Sequence, residues 1–450
     1  MGGTRDERYN LSFIVNNGVE ADKPFIGVSI AYRLSAWGFL NSDEVSGAGQ
    51  TNIGLRDQRL ALHWLQENIA AFGGDPSKVT IWGKKACISE IDTSADLLVG
   101  ESAGAGSVGW HLTAYNGRDD GLFRAGIMES GNPVNYNSYQ DLSYWQPKYD
   151  QIVNNVSCSD AIDTLDCLRH VPFEQLNAAI NTTSAQQWAP IVDGDFIARW
   201  ASIQLAEGDF VKVPIIDGAN SDEGTAFGPY NVHSTADWLA DALGPPNNGS
   251  TNLPPHFSDE LQAAYPNDCS YYIPGPPEYA CNASVAGLGD AFKRSAAYYG
   301  DLVMIANRRG ACQTWAANGI DAYCYRFNII PAGLPFVTHF QEVAFVFDNT
   351  NGYGYNALHG TINPFANKSE AYIQVAKLMS TSWASFIADL NPNNYTGRPS
   401  GTPDWAMYSV DNPQDIVWDV NVTGLAYNEP DTFRKEGIQF ILDHALSYHR

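Results

Sequence analysis

The chain has 450 residues, enough to bury a large core, and carries 50 Asp and Glu against 26 Lys and Arg, a formal net charge of −24. That balance speaks against nucleic acid and anionic membranes as partners, because phosphate recognition needs a basic footprint. No stretch reaches the roughly 20 apolar residues of a transmembrane helix, and the opening residues, Met1 to Arg8, are polar and are no signal peptide. Other features look secretory. Glycosylation sequons occur at Asn10, Asn155, Asn181, Asn248, Asn282, Asn367, Asn394 and Asn421. Of the seven cysteines, Cys158 and Cys167, Cys269 and Cys281, and Cys312 and Cys324 lie close enough in sequence to read as pairs, which leaves Cys87 over.

In chain order, the apolar run 24–32 reads as a buried parallel strand. Residues 58–70 place Leu60, Leu62, Trp64, Leu65 and Ile69 at helical spacing. Asp75-Pro76 marks a turn, and 79–82 reads as the next strand. Residues 100–104 then spell Gly-Glu-Ser-Ala-Gly, and the small residues of 103–115 can start a helix. Residues 122–131 read as a strand and its turn, and 213–218 as another buried strand. The Pro, Gly and Asn clusters at 245–255 and 274–277 read as loops. There is no internal repeat and no linker, so residues 1–450 read as one domain. Residues from roughly 140 to 320 are expected to build helices and loops over the active-site face, punctuated by strands.

The Gly-x-Ser-x-Gly pattern makes a specific physical demand. A serine must sit at the tip of a tight strand-to-helix turn in a strained conformation. Gly100 and Gly104 on either side leave room where a Cβ would collide. The helix that follows offers free backbone N–H groups to a developing oxyanion. Ser102 is therefore the candidate nucleophile and the N–H of Ala103 a candidate oxyanion donor.

The segment 52–69, with Phe72-Gly73-Gly74-Asp75-Pro76 and Val79-Thr80-Ile81-Trp82-Gly83 behind it, closely resembles the signature of the type-B carboxylesterase family. That family includes fungal lipases, carboxylesterases, cholinesterases and the non-catalytic neuroligins, and the resemblance runs through essentially the whole chain. It implies an α/β-hydrolase fold: a mostly parallel central sheet flanked by helices. It also implies cleavage of carboxylic esters through an acyl-serine, with the order nucleophile, acid, histidine along the chain. The acid is then Glu223, in Asp222-Glu223-Gly224. The base is His339, in His339-Phe340-Gln341-Glu342. Glu101, just before the nucleophile, is a supporting carboxylate. Cys158 and Cys167 resemble a small disulfide loop of the family. No Cys/His spacing suggests zinc and no Gly-rich motif suggests a nucleotide, so no metal or cofactor is expected. The expected partner is a small-molecule or lipid ester.

Two departures stand out. Family members run from Trp-Gly straight into Glu-Ser, whereas here 17 residues, 84–100, stand between Gly83 and Glu101. We read them as a non-native insert, a retained intron: Gly83-Lys84 can be encoded with a donor GTAAG and Val99-Gly100 with an acceptor AG in matching phase. Two strand candidates, 79–82 and 97–99, then compete for one place in the sheet. Second, no His-Gly-Gly-Gly-type loop, the family's other source of oxyanion donors, is present. Gly2-Gly3-Thr4 matches positions just beyond that loop, so the upstream strands, flap and secretion signal of the family are expected to be missing, and full-length members to be secreted. The competing reading is an inactive fragment or a neuroligin-like binding module.

Overall fold

Six strands form one sheet in the order β1-β2-β3-β4-β5-β6: Thr80–Trp82, Ala125–Glu129, Ile215–Asn220, Ala322–Phe327, Gln414–Trp418 and Ala426–Pro430. The first five are parallel and β6 returns antiparallel to β5. The computed structural model describes residues 5–83, 102–134, 139–183, 188–244, 252–268, 288–355 and 362–450. Outside them lie the expected insert 84–100 with Cys87, Gly100 and the strand candidate 97–99. Glu101, Cys269, Cys281, Asn248, Asn282 and Gly2-Gly3-Thr4 also lie outside them.

Parallel strands need crossover connections, and these cover both faces. On one face Ala125, Ile127, Ile216, Tyr325, Phe327 and Trp418 pack with Phe345, Met379, Trp383 and Phe386 from the helices Val343–Val346 and Glu370–Asp389. On the other, Met128, Ile215 and Ala322 pack with Val108 and Leu112 of the Ser102–Gly117 helix and with Trp315 of the Ala306–Ala317 helix. The helix expected at 58–70 runs from Ile53 to Asn68 and ends in a 3-10 turn, Ile69–Phe72. The strand expected at 213–218 is Ile215–Asn220, buried along its whole length.

The expected strand at 24–32 does not form. The segment is irregular and pairs with no strand, and Ile26, Val28 and Ile30 are 46%, 45% and 36% exposed. An apolar run becomes a strand only where a neighbour takes its backbone groups, and among the described residues β1 pairs on one side only, with β2. Two disulfides are in place: Cys158–Cys167 closes a short loop, and Cys312–Cys324 ties the Ala306–Ala317 helix to β4. Among the described residues no helix is long and apolar enough to cross a membrane, and no cluster of His, Cys, Asp or Glu could hold a metal ion.

Candidate active site

Strands β2, β3 and β4 each lead, at the carboxyl end, to a polar group of one cluster, and β1 ends against the helix that Ser102 opens. This is where open α/β sheets place their ligands. Strand β1 runs to Gly83, whose N–H bonds to the Ile127 carbonyl at 3.1 Å and so extends the β1–β2 ladder. A Cβ on Gly83 would lie 2.3 Å from the Ala105 nitrogen, so the end of β1 sits directly against the first turn of the Ser102–Gly117 helix. Ser102 opens that helix with φ +26°, a region that non-glycine residues rarely occupy. The serine is buried, as is Gly104; the Ala103 carbonyl accepts from Ser107 Oγ at 3.1 Å.

Strand β2 ends in Glu129, followed by Ser130 and Gly131. A Cβ on Gly131 would lie 2.4 Å from the Ser102 carbonyl oxygen, so only glycine lets the serine turn lie against this strand end. Strand β3 leads to Asn220, Asp222 and Glu223. Strand β4 leads, past an irregular stretch, to His339.

Glu223 and His339 meet: His339 Nδ1 and Glu223 Oε2 are 2.6 Å apart, and both residues are buried. The other carboxylate oxygen, Oε1, accepts from Ser130 Oγ at 2.5 Å and from the Asn220 N–H at 2.8 Å. Its orientation is thus fixed from both sides, as a group that must hold an imidazole requires. Asp222 does not reach the imidazole. It bridges to the histidine loop instead, giving its N–H to the Val337 carbonyl and taking the Val337 N–H on Oδ2, each at 2.9 Å. The Phe227 ring stands edge-on to the imidazole, with centroids 4.8 Å apart.

A second carboxylate lies behind this pair. Glu342 Oε2 accepts from Asn220 Nδ2 at 2.5 Å. Burial, and then repulsion from Glu223 and Glu129, raise the Glu342 carboxyl well above the usual carboxylate range. Ser130, Asn220 and Glu342 were not singled out in the sequence for any role. The Asp-Glu-Gly and His-x-x-Glu segments contain or adjoin two of them, but their partnership depends on strand register. His111, buried on the helix behind Ser102, is pushed down to about 3 by burial and by Arg59. It packs as a neutral ring, with Nε2 3.1 Å from Gln58 Oε1.

The sequence model of the Carboxylesterase family matches residues 1–89 and 97–424, and the break falls inside the expected insert. "Secreted lipase 1" of Botryotinia fuckeliana is 33% identical over 430 residues, 91% of this chain and 66% of that protein. "Lipase 4" of Diutina rugosa is 29% identical over 447 residues, 97% of this chain and 72% of that protein. The chain thus spans about two thirds of the length of these relatives. The crystal structure of Aspergillus niger EstA superposes with a TM-score of 0.75 at 25% identity, covering 100% of this chain and 80% of that one. The chain belongs to the carboxylesterase family, with the α/β-hydrolase fold.

Proposed function

We propose that this protein hydrolyses carboxylic esters through a Ser102–Glu223–His339 triad. The observation that carries the reading is the 2.6 Å contact of His339 Nδ1 with Glu223 Oε2, at the end of the sheet where Ser102 opens its helix in a strained turn. A serine hydroxyl is a poor nucleophile at neutral pH and needs a base, which in turn needs an orienting acid. With Nδ1 engaged by Glu223, the imidazole keeps Nε2 for the serine proton. Ser102 Oγ attacks the ester carbonyl and the proton passes to His339. The N–H of Ala103, at the helix start, donates to the oxyanion. His339 then protonates the leaving alcohol, and the same imidazole activates the water that releases the acid from acyl-Ser102. Glu223 stabilises the imidazolium without taking its proton.

The names of the relatives, a lipase and a secreted lipase, support acyl esters as the substrate class and export as the route, with which the two disulfides agree. Glu101 is read as a supporting carboxylate and 84–100 as a non-native insert. The test is a fluorophosphonate probe together with p-nitrophenyl esters. Labelling should map to Ser102, and Ser102→Ala should lower kcat about 10⁶-fold. Hydrolysis that survives Ser102→Ala, or its absence from folded wild-type protein, would overturn the reading.

A further inference from the structure

Glu129 takes no part in the mechanism above, yet it is a fully buried carboxylate at the end of β2, one residue before the serine that orients Glu223. Two indoles point at the same oxygen: Trp383 Nε1 donates to Oε1 at 2.7 Å and Trp82 Nε1 at 3.1 Å. Trp82 is the last residue of β1, two before the expected insert, and its ring stacks on Phe347 with centroids 4.7 Å apart. Phe347 directly follows the Val343–Val346 helix, which begins four residues after His339. One carboxyl group thus links the strand that leads to Ser102, the strand that leads to Ser130, the Glu370–Asp389 helix and, through Trp82, the segment that carries His339.

We propose that Glu129 is a positioning residue of the ester-hydrolysis site, acting through the Trp82 and Trp383 indoles on the end of β1 and through space on the Glu342–Glu223–His339 array. This rests on the function proposed above. Among the described residues, Glu342 feels the charge of Glu129 and of Glu223, Glu223 meets His339, and the Tyr325 phenol ring lies over Gly218, opposite Glu129, and packs on Trp383. The β1 side presents Trp82, the β3 side Gly218 in register with Glu129, and the Glu370–Asp389 side Trp383. Asp348, next to Phe347, is turned to Asn17 Nδ2 at 2.9 Å.

Burial outweighs the two indole donors and raises the Glu129 carboxyl to about 8. Near neutral pH Glu129 is then a neutral acid that holds two indoles. Above that pH it becomes an anion behind Glu342. An added negative charge stabilises the imidazolium that forms on His339 in the transition state. The turnover of the wild type therefore gains a second rise on passing pH 8, beyond the one that comes from unprotonated His339. The gain is about three- to tenfold, the order that one added charge produces across a protein interior.

The experiment is the pH profile of p-nitrophenyl butyrate hydrolysis, with kcat and KM resolved, for wild type, Glu129→Gln and Trp383→Phe, and Ser102→Ala as the control. Glutamine keeps an acceptor for both indoles but cannot ionise, so Glu129→Gln should lose the upper rise in kcat with KM unchanged. Trp383→Phe removes a donor that favours the anion, so its upper rise should move to higher pH. In parallel, tryptophan fluorescence of the wild type should change with a midpoint near pH 8, and that change should be absent in Glu129→Gln. Should Glu129→Gln not fold, Trp383→Phe carries both readouts. Superposable profiles and titrations in wild type and variants would overturn the role of Glu129. Loss of hydrolysis in the wild type, with the fluorescence step intact, would overturn the ester-hydrolase reading and leave the Glu129 titration standing.

Discussion

Asp222 and Val337 exchange two hydrogen bonds, backbone to backbone and backbone to carboxylate, each 2.9 Å long. This pair ties the acid loop to the histidine loop without passing through Glu223, His339 or the Asn220 amide. The loops lie 115 residues apart in sequence, so their alignment is a product of such ties. Asp222→Ala leaves the buried Val337 N–H without its carboxylate partner, at a cost of about 1–3 kcal/mol. The variant should melt a few degrees lower and lose roughly tenfold in kcat. Asp222→Asn, which keeps an acceptor oxygen, should recover most of both. Calorimetry and ester kinetics on the two variants check this, and an Asp222→Ala enzyme with wild-type kcat would refute it.

Gly131 is defined by what it touches. A methyl group there would meet the Ser102 carbonyl oxygen at 2.4 Å and the Ala105 Cβ at 2.8 Å. Backbone on one side and a helix on the other give no cheap way to yield, so Gly131→Ala must move the serine turn. Overpacking of this kind costs about 1–3 kcal/mol. The rate of fluorophosphonate labelling at Ser102 should fall at least about tenfold. Ser107→Ala, further along the same helix, should leave the labelling rate unchanged.

Asp431 sits in a buried charge cluster below the site. It takes Arg308 Nη1 at 3.0 Å, Arg309 Nε at 2.9 Å and the Tyr408 hydroxyl at 2.9 Å, while Arg308 Nη1 also meets Asp415 at 2.6 Å. Burial pushes the Asp431 carboxyl up, but the two guanidiniums outweigh it and hold the group below the usual carboxylate range. A depressed value means that the unfolded chain binds the proton first as pH falls. The stabilisation is therefore present above about pH 4 and is lost as pH drops towards the folded value. Asp431→Asn should cost about 3–5 kcal/mol at pH 7, because it leaves Arg308 and Arg309 undercompensated. The difference in melting temperature between the two proteins should shrink between about pH 4 and pH 2. A difference that stays constant over that interval would count against the cluster.

The close approach of Gly83 to Ala105 bears on the insert. If 84–100 is foreign, joining Gly83 to Glu101 should give a protein that folds at least as well and hydrolyses esters about tenfold faster or more, because it ties the nucleophile directly to β1. Transcripts read across codons 83–101 should lack the 17 inserted codons. A deletion variant that misfolds while the given chain folds would refute the reading.

What could be read in the chain, and what could not, follows from how local each signal is. Ser102 sits in a contiguous Gly-x-Ser-x-Gly motif that nominates it directly, whereas Glu223 and His339 were nominated by the resemblance of their short Asp-Glu-Gly and His-x-x-Glu segments to the carboxylesterase family. Ser130, Asn220 and Glu342 are single polar residues whose roles arise from register, as when Glu129 falls opposite Gly218 and brings Ser130 to the side of Glu223. No local pattern encodes that. Strands β2 and β3 were legible because burial on both faces forces an apolar run. Residues 24–32 show the same kind of run, but composition reports only a preference for burial and cannot report whether a neighbouring strand is there to pair.

That uncovered run has a consequence for how the protein behaves in a tube. Ile26, Val28 and Ile30 are exposed and alternate in sequence with the small residues Gly27, Ser29 and Ala31. Such a stretch templates the addition of an identical stretch from another molecule. The net charge of −24 slows the encounter, and salt weakens that protection. Turbidity should therefore grow with protein concentration and with ionic strength, and Val28→Lys should keep concentrated stocks clear while leaving turnover as it was.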